Sequence, residues 1–303
     1  MQDPNWAIAR KRELLEQRAR IVQTIRAFFV EQGFLEVETP QRIPANAPEL
    51  HIDPLPSGSW WLQTSPELAM KRLLAAGYGD IFQLCRVWRA GERGARHLPE
   101  FTLLEWYRDA RDYTALMDDC EALLSTLIPA ARVSWQGEEI DLTRSWPRLS
   151  VDEAFARYAS CSMDEALSTG RFDVVMSLEI EPRLGNGPVF LCDYPLECGA
   201  LARRKPGDET RVERFELYLG GLELANAFSE LCDPDEQRRR FESERALREA
   251  DGKPGTPLPE PFLKELSGLQ SAAGIALGVD RLVMLLTDAP CIDEVVCFPP
   301  ELL

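Results

Sequence analysis

The first clear hydrophobic pattern of the chain runs from Arg10 to Gln32. Apolar side chains recur there every three or four residues, and charged side chains fall between them. That spacing predicts an amphipathic helix with one face in a core. Gly33 stands where a glycine commonly ends a helix. The alternation from Leu35 to Thr39, closed by Pro40, predicts a short strand after it.

Two β-rich segments, Ile81 to Arg89 and Phe101 to Arg108, give the strongest strand signals of the first half. Both contain many β-branched and aromatic residues, and the stretch 90–99 between them contains glycine, arginine and proline. We predict an antiparallel hairpin with a long loop. The proline-rich, polar stretch 41–56 ahead of them predicts a further loop.

Capping signals locate two further helices. Apolar residues recur at helical spacing from Tyr113 to Leu127, and Asp112 stands at the N-cap position. Ser150 and Glu153 form a capping-box pattern, which predicts a short helix from Val151 to Tyr158.

The second half predicts more strands and helices after a middle region, 133–187, without readable periodicity. The strands are expected at Val189 to Asp193, Val212 to Leu219, Leu222 to Phe228 and Gly274 to Gly278, and the helices at Pro234 to Ala250 and Val279 to Leu286. The prolines of Lys253 to Pro261 indicate a loop. Because no linker and no repeat divides the chain, we expect one α+β domain, 1–303, around an antiparallel sheet flanked by helices.

Charge is the compositional property that changes this picture. The chain has 303 residues, with 34 Lys and Arg against 50 Asp and Glu, and its formal net charge is -16. So acidic a protein offers no global positive field for tRNA or DNA. The eight cysteines lack CxxC spacing, which favours reduced thiols. No early apolar run is long enough for a signal peptide or membrane span, so we expect no membrane association and a cytoplasmic protein.

The loop of the predicted hairpin concentrates positive charge within this acidic chain. It carries Arg89, Arg93, Arg96 and His97 against Glu92. Guanidinium groups bind phosphate oxygens in planar, paired contacts and stay charged at any working pH, which makes the loop a candidate phosphate site. A solvated turn with surface ion pairs explains the same spacing equally well.

A set of oxygen-bearing side chains lies on the two strands predicted around Gly220 and Gly221. It comprises Glu216, Glu223, Asn226 and Glu230, in a stretch otherwise rich in Leu, Phe and Ala. Buried carboxylates need a partner. Mg²⁺ that bridges to nucleotide phosphates, a general acid and base pair, and ion pairs with arginines are three possible explanations.

A third candidate is Arg281, in the first turn of a helix that follows a strand of small residues. Gly274, Ala276 and Gly278 would let a ligand approach that strand closely. No Walker A or Rossmann glycine pattern occurs, so a nucleotide would be held by arginines and strands instead.

These segments together resemble the three signature motifs of class II aminoacyl-tRNA synthetases, in the usual order. The first helix, the strand and Pro40 resemble motif 1. Arg86 to Tyr107, RVWRAGERGARHLPEFTLLEWY, resembles motif 2, and Gly274 to Leu282, GIALGVDRL, resembles motif 3. Motif 1 of this fold typically forms a two-fold dimer, so the resemblance implies a homodimer.

Three more segments are similar to the catalytic domain of lysyl-tRNA synthetase. They are TSPELAMKRLL at Thr64 to Leu74, LARR at Leu201 to Arg204, and RFELYLGGLELANAFSEL at Arg214 to Leu231. Because motif 1 begins near the start of the chain, we expect no counterpart of the amino-terminal OB-fold domain that reads the anticodon in those enzymes. With the net charge, this pattern resembles the stand-alone paralogs that ligate lysine, preferably (R)-β-lysine, to a lysine of elongation factor P (the EpmA, GenX, PoxA or YjeA family).

That resemblance implies an AMP-forming ligase that uses ATP and Mg²⁺, with a protein acceptor and no stable tRNA partner. The implied ATP site comprises Arg89 at the α-phosphate, Arg281 at the γ-phosphate, and Ala90, Gly91, Glu92, His97, Leu98, Glu223, Leu224 and Gly278. The implied amino-acid site comprises Ser65, Pro66, Glu67, Tyr107, Asn226, Glu230 and Ala276. Glu67 and Glu230 would recognise the amino groups of the substrate, and Glu223 and Glu230 would hold Mg²⁺. Arg89 and Arg281 would be the catalytic residues.

Two positions depart from the family pattern, and a third, Ala276, agrees with the stand-alone paralogs but not with the tRNA-charging enzymes. Leu98 stands where members often have asparagine, and the acid of the common Arg-Asn-Glu lies one place later, at Glu92. We therefore expect Glu92 or backbone groups to make the adenine contact. Ala276 replaces the glycine usual in tRNA-charging lysyl enzymes, and its methyl group either reshapes the amino-acid pocket or serves packing alone.

Two other functions stay open. The chain could be a truncated synthetase that charges tRNA or a small molecule, against which Glu67 and the missing tRNA domain argue. It could also be a non-catalytic regulatory paralog. Retention of Arg89, Glu223, Glu230 and Arg281 argues against that second alternative.

Overall fold

The structure is a computed structural model and describes residues 6–303. Hydrophobic periodicity determines its helices: the stripe predicted in the first long helix buries Ile25, Phe28 and Phe29. The α-helices are α1 (Trp6–Arg10), α2 (Arg12–Glu31), α3 (Glu67–Ala75), α4 (Tyr113–Leu127), α5 (Val151–Tyr158), α6 (Met163–Ser168), α7 (Phe172–Val175), α8 (Pro234–Ala250), α9 (Glu260–Glu265) and α10 (Val279–Leu286).

Most of the β-structure belongs to one central sheet. The strands are β1 (Leu35–Glu36), β2 (Arg42–Ile43), β3 (Pro56–Ser57), β4 (Trp60–Leu62), β5 (Ile81–Trp88), β6 (Glu100–Asp109), β7 (Arg132–Trp135), β8 (Glu138–Asp141), β9 (Arg148–Ser150), β10 (Val189–Cys192), β11 (Arg204–Lys205), β12 (Asp208–Val212), β13 (Arg214–Leu219), β14 (Leu222–Ser229) and β15 (Ala272–Gly278). Within residues 6–303, eight of them form the central sheet in the order β1-β5-β6-β15-β14-β13-β10-β9. Its inner pairs are antiparallel, and the two outermost pairs, β1 with β5 and β9 with β10, are parallel. The predicted α+β class is confirmed.

The two faces of the central sheet carry different side chains. Neighbouring residues of a strand point to opposite faces. On β6, Leu104 and Trp106 therefore enter the main apolar core, whereas Glu105 and Tyr107 point to the other face. Helices α2, α4 and α10 pack on the apolar side. Each fully buried Leu or Phe there stabilises the fold by about 2 kcal/mol. Because the core is built on this side of the sheet, the opposite face can carry polar residues.

The turn and capping signals lie where the sequence places them. The backbone of Gly33 has φ +83° just beyond α2, a conformation that favours glycine. The carboxylate of Asp112 accepts a hydrogen bond from the Thr114 N–H at 2.9 Å, which caps α4. Ser150 and Glu153 form both hydrogen bonds of the capping box at the start of α5. These helix starts are confirmed.

Short strands account for most differences from the sequence-based expectations. The predicted strand 35–39 is shorter than expected: Leu35 and Glu36 pair with β5, and the Val37 N–H adds one hydrogen bond to the Phe82 carbonyl at 2.9 Å. The predicted loop 41–56 contains β2 and the start of β3, which form a small sheet with β4. Strands of two or three residues are too short for a periodic pattern, which is why the sequence does not reveal them.

The unreadable middle region folds into several short elements with an apolar cluster of their own. Phe155, Phe172 and Val175 pack there beside residues of β10. Among the described residues all eight cysteines are free thiols, as predicted. Over the same part of the chain, no helix has the length and apolar character needed to cross a membrane.

Candidate active site

The polar face of the central sheet forms the floor of a cavity of about 310 Å³. One row of directly paired residues crosses four strands of that floor. It runs from Glu105 on β6 through Ala276 and Asn226 to Glu216 on β13. The side chains of such a row share one face of a sheet. The methyl group of Ala276 therefore lies between the side chains of Glu105 and Asn226 on the floor.

A second row of paired residues lies next to the first and contains the glycine that motif 3 places on β15. Gly274 pairs with Tyr107 on one side and with Phe228 on the other. A Cβ atom at Gly274 would overlap the Tyr107 ring and the Glu230 carboxylate. The absence of a side chain at Gly274 thus lets Tyr107 and Glu230 approach each other above the strand.

Glu105 is the centre of a buried hydrogen-bond network at one end of the cavity. Ser65 Oγ donates to Glu105 Oε1 at 2.6 Å, and the Tyr107 hydroxyl donates to Glu105 Oε2 at 2.8 Å. The Glu67 N–H in turn donates to Ser65 Oγ at 3.0 Å. Burial, and next the charge of Glu67, raise the pKa of Glu105 to about 8. Glu105 is a site residue that the sequence analysis did not single out.

Lys71 joins the two carboxylates that were predicted to bind amino groups. Its ammonium is 2.5 Å from Glu67 Oε1 and also contacts the carboxylate of Glu230, and Lys71 is almost completely buried. Burial alone would lower the pKa of Lys71, but Glu230 and Glu67 raise it above its usual value. Burial also raises the pKa of Glu230, to about 8. The spacing of four residues between Glu67 and Lys71 on α3 was the sequence signal for this pair.

The cationic end of the cavity contains the two arginines of motifs 2 and 3. Arg89 lies 5.2 Å from the centre of the Phe101 ring, and its Nη1 is 3.9 Å from Glu92. Arg281 Nη1 donates to the backbone carbonyl of Glu223 at 2.8 Å. Both guanidinium groups line the same cavity, so the structure brings together two arginines that are far apart in the sequence.

A β-bulge explains how Glu223 reaches this cavity. Tyr218 pairs with Glu223 and Leu217 pairs with Ala225, so Leu224 is an extra residue on β14. Such a bulge re-aims neighbouring side chains. The Glu223 carboxylate therefore lies on the same face as Asn226, 3.5 Å from Arg281 Nη1. Enclosure in the cavity, and next the charge of Glu216, raise the pKa of Glu223 to about 7.

His97 connects the motif 2 loop to motif 3. Its Nε2 is 2.5 Å from Arg281 Nη2. Burial, and next the positive charge of Arg281, lower the pKa of His97 below its usual value. A neutral imidazole is therefore available to accept the hydrogen bond of the arginine.

Most of the predicted site residues line this one cavity, but a few do not. The lining includes Ser65, Glu67, Arg89, Glu92, His97, Leu98, Tyr107, Glu223, Leu224, Asn226, Ala276, Gly278 and Arg281. Pro66 caps α3, and Ala90 and Gly91 lie in the backbone turn after Arg89, where the Ala90 N–H donates to the Asp53 carbonyl at 2.7 Å. Glu230 is not among the lining residues; its carboxylate lies beside Tyr107 above Gly274 and pairs with Lys71.

The structure does not bring together Glu223 and Glu230, the two carboxylates that were predicted to share Mg²⁺. The two residues occur seven positions apart along one strand and its end, which corresponds to about 20 Å at the rise of a β-strand. One ion cannot bind two carboxylates that lie so far apart. Glu216 is the carboxylate near Glu223, across the β13–β14 hairpin.

The residues around Glu223 fit a cation that is bound partly by carboxylates of the protein and partly by phosphates of a bound substrate. Tyr194 and Tyr218 donate to Glu216 Oε2 at 2.6 and 2.7 Å, and Arg214 donates to its Oε1 at 2.6 Å. Among the described residues no group of three or more acidic, His or Cys side chains forms a complete metal cage. Mg²⁺ is commonly held by one or two carboxylates together with substrate phosphates, which is the donor set that Glu223 and Glu216 offer.

Known proteins resemble this chain over almost its whole length. Residues 6–301 match the family model for tRNA synthetases class II (D, K and N). A lysine–tRNA ligase of Moorella thermoacetica is 38% identical over 312 residues, which cover 93% of the chain and 64% of that protein. An elongation factor P–(R)-beta-lysine ligase of Histophilus somni is 39% identical, with 97% of each chain covered. A ligase of the same name from Pectobacterium carotovorum is 40% identical, with 95% of each covered.

Proposed function

The chain belongs to the class II tRNA synthetases of the D, K and N group, and we propose that it activates lysine with ATP and transfers it to a lysine of elongation factor P. The observation that supports this proposal most is the division of one cavity into an arginine end and a carboxylate end. The first suits phosphates and the second suits ammonium groups. Two relatives named as elongation factor P–(R)-beta-lysine ligases match over nearly their entire length.

At the arginine end, we propose that Arg89 binds the α-phosphate of ATP and Arg281 the γ-phosphate. A guanidinium group binds phosphate oxygens through planar, paired hydrogen bonds. The adenine and ribose would lie among the remaining residues of this end of the cavity, which are Glu92, His97, Leu98, Leu224 and Gly278. Ala90 and Gly91 would shape the turn through their backbone. Leu98 lacks the polar side chain that family members often have at this position, and Glu92 would make the contact with the adenine instead.

Mg²⁺ would be held by Glu223, with Glu216 beside it. When bound, the ion would offset negative charge on the phosphates and on the leaving pyrophosphate. The raised pKa of Glu223 supports this placement, because two neighbouring carboxylates are stabilised in their charged forms by a cation.

At the carboxylate end, we propose that the lysine substrate extends along the floor row. Its terminal ammonium would lie near Glu105, Tyr107 and the Lys71–Glu230 pair, and its other amine near Glu67. Ser65, Pro66 and Asn226 would fix these groups, and the methyl group of Ala276 would limit the space in the middle. Several carboxylates and a single buried ammonium leave this end with an excess of negative charge.

The proposed reaction has two steps. A carboxylate oxygen of lysine attacks the α-phosphorus of ATP, and the bond to pyrophosphate breaks while Arg89 and Arg281 bind the developing charge. The ε-amine of the acceptor lysine then attacks the adenylate carbonyl, AMP leaves, and one proton is released from the amine. Positioning of the reactants supplies most of the rate enhancement in such a sequence.

A protein acceptor is supported by charge as well as by the relatives. The formal net charge of -16 disfavours a stable complex with tRNA. Because ATP and a translation factor are molecules of the cytoplasm, we propose that the reaction occurs there in a single catalytic domain.

We also propose a homodimer formed through motif 1. Val30 of α2 and Leu35 of β1 are apolar side chains that are 59% and 48% exposed. Apolar surface of this kind favours a protein interface. Light scattering at micromolar concentration is expected to give twice the chain mass, and a monomer mass would contradict the proposal.

Lysine binding is expected to weaken as pH falls. Glu105 and Glu230 have pKa values raised to about 8, so each gains a proton below that pH and loses the charge that attracts an ammonium. We expect the KM for lysine to be about tenfold higher at pH 6.5 than at pH 8.5, with a small change in the KM for ATP. Steady-state kinetics at saturating ATP measure this, and a flat profile would contradict the assignment of these carboxylates.

ATP–pyrophosphate exchange tests the proposed function. We expect exchange that depends on lysine, measured side by side with α-lysine and (R)-β-lysine. Exchange with neither amino acid would contradict the proposal and favour a regulatory paralog. Charging of added tRNA would favour a truncated synthetase.

A further inference from the structure

Glu49 lies on the wall of the active-site cavity, and the proposed reaction gives it no role. It belongs to the connection between β2 and β3, and its side chain lines the cavity together with Ile52. Among the residues that the structure describes, no donor forms a hydrogen bond to its carboxylate. The sequence predicts a proline-rich loop for this stretch, and Glu49 is not among the candidate site residues.

Charged groups of both signs face Glu49 across the cavity. The largest electrostatic effects on its carboxylate come from the carboxylate of Glu67 and the guanidinium of Arg89, followed by Glu244 and Arg214. Burial, and next the charge of Glu67, raise the pKa of Glu49 to about 7. Two carboxylates thus lie beside the arginine that would bind the α-phosphate. Glu67 pairs with Lys71, whereas no Lys or Arg side chain of the described residues forms an ion pair with Glu49.

Helix α8 holds the Glu49 loop in a fixed position. Arg248 is 2% exposed, and its Nη1 donates to the carbonyl oxygens of Glu49 at 2.6 Å and Ile52 at 2.9 Å. Its Nη2 donates to Asp53 Oδ1 at 2.8 Å. Buried guanidinium contacts of this kind are directional and strong. The Glu49 carboxylate is therefore part of a fixed cavity wall and not a solvated loop tip.

The loop is also attached to the turn that carries Arg89. The Asp53 carbonyl accepts a hydrogen bond from the Ala90 N–H at 2.7 Å, and the Leu50 N–H donates to Glu244 Oε2 at 3.0 Å. These hydrogen bonds fix the backbone of the Glu49 loop relative to Arg89, at the end of the cavity where the substrate carboxylate would react. A side chain on a backbone fixed in this way can distinguish substrates whose amines differ slightly in position.

We propose that Glu49, opposite Glu67, binds the amine that the substrate carries closest to its reacting carboxylate, and that this contact selects the carbon on which that amine stands. The inference rests on the proposed function, in which Arg89 draws the reacting carboxylate to this end. An amine on the carbon next to the substrate carboxylate and an amine one carbon further along the substrate differ in position by about 1.5 Å, the length of a single C–C bond. Carboxylates on two walls favour one of these positions over the other.

The test compares Glu49→Gln with the parent enzyme. Gln has nearly the size of Glu but no charge, so the fold is expected to stay intact. Exchange is measured with lysine, with (R)-β-lysine and with 6-aminohexanoate, a lysine analogue without the proximal amine. Glu242→Gln is the matched control, because Glu242 is exposed on the same helix as Arg248 and does not line the cavity.

Loss of a charge-assisted hydrogen bond is expected to raise the KM for the preferred lysine isomer about tenfold, with the KM for ATP within about twofold. The preference in kcat/KM for that isomer over 6-aminohexanoate, and over the other isomer, is expected to fall by a similar factor. The control variant should keep the parent values. Unchanged preferences in Glu49→Gln would overturn the inference, as would equal losses for lysine and 6-aminohexanoate.

Calorimetric binding of the same three amino acids separates this inference from the proposed function. A parent protein that binds lysine without any exchange would contradict the function, and a reduced lysine preference of Glu49→Gln in binding would still support the inference. Normal exchange by the parent, together with unchanged preferences of the variant in binding and exchange, would leave the function standing and overturn the inference.

Discussion

Replacement of Arg281 by alanine is expected to lower lysine-dependent ATP–pyrophosphate exchange by about 10³-fold, the effect of removing a key donor to a charged transition state. Its guanidinium lines the cavity, contacts His97 Nε2 and donates to the Glu223 carbonyl. The same variant is expected to keep the parent circular dichroism and unfolding temperature, because the side chain is partly exposed and fills no core space.

The control for Arg281→Ala is Arg93→Ala. Arg93 lies in the same motif 2 loop as the other arginines, but it pairs with Asp293 and Glu301 outside the cavity. Its removal is expected to change exchange less than threefold, since surface ion pairs contribute at most about 1 kcal/mol. Full exchange activity of Arg281→Ala would refute the γ-phosphate contact.

Replacement of Lys71 by methionine is expected to lower the free energy of unfolding by about 3 to 5 kcal/mol, because buried carboxylates lose their counter-charge. Lys71 is almost completely buried and pairs with Glu67 and Glu230. Lysine activation is expected to fall as well, since the loss of Lys71 raises the pKa of Glu230 still further and leaves less charged carboxylate to attract the ammonium of the substrate. Chemical denaturation at pH 7.5 measures the first effect and exchange kinetics the second.

Arg72→Met provides the matched control on the same helix. Arg72 pairs with Glu265 at 2.7 Å, but the two side chains are 44% and 45% exposed, so the expected loss is below about 1 kcal/mol. Adding Glu230→Gln to Lys71→Met is expected to restore part of the stability, because less buried charge stays unpaired. Equal losses for Lys71→Met and Arg72→Met, or no recovery in the double variant, would refute the buried ion pair.

The sequence predicts the long elements well because their periodicity spans several turns or several strand pairs. The stripe ending at Gly33, the N-cap at Asp112 and the motif 2 hairpin all occur as expected. Period-two alternation on β6 also contains the information that Glu105 faces the site with Tyr107. That information becomes usable once the pairing with β15 shows which face of the sheet is open.

The sequence fails where a residue's role depends on through-space contacts. Glu223 and Glu230 look equivalent in sequence, but a bulge at Leu224 turns the first into the cavity, and Lys71 from α3 pairs with the second. Glu49 is similar, because contacts from distant parts of the chain, among them Arg248, 199 positions further along, hold its loop against the cavity. Such contacts leave no periodic trace in one sequence.

Intact-mass analysis of elongation factor P incubated with this protein, ATP, Mg²⁺ and lysine or (R)-β-lysine tests the central claim most directly. Deacylated tRNA is present in the same reaction as a competing acceptor, and Arg281→Ala serves as the inactive control. We predict that the factor gains the mass of one lysyl group, placed on a lysine by peptide mapping, while the tRNA stays uncharged. An unmodified factor together with charged tRNA, or no product on either acceptor, would contradict the account.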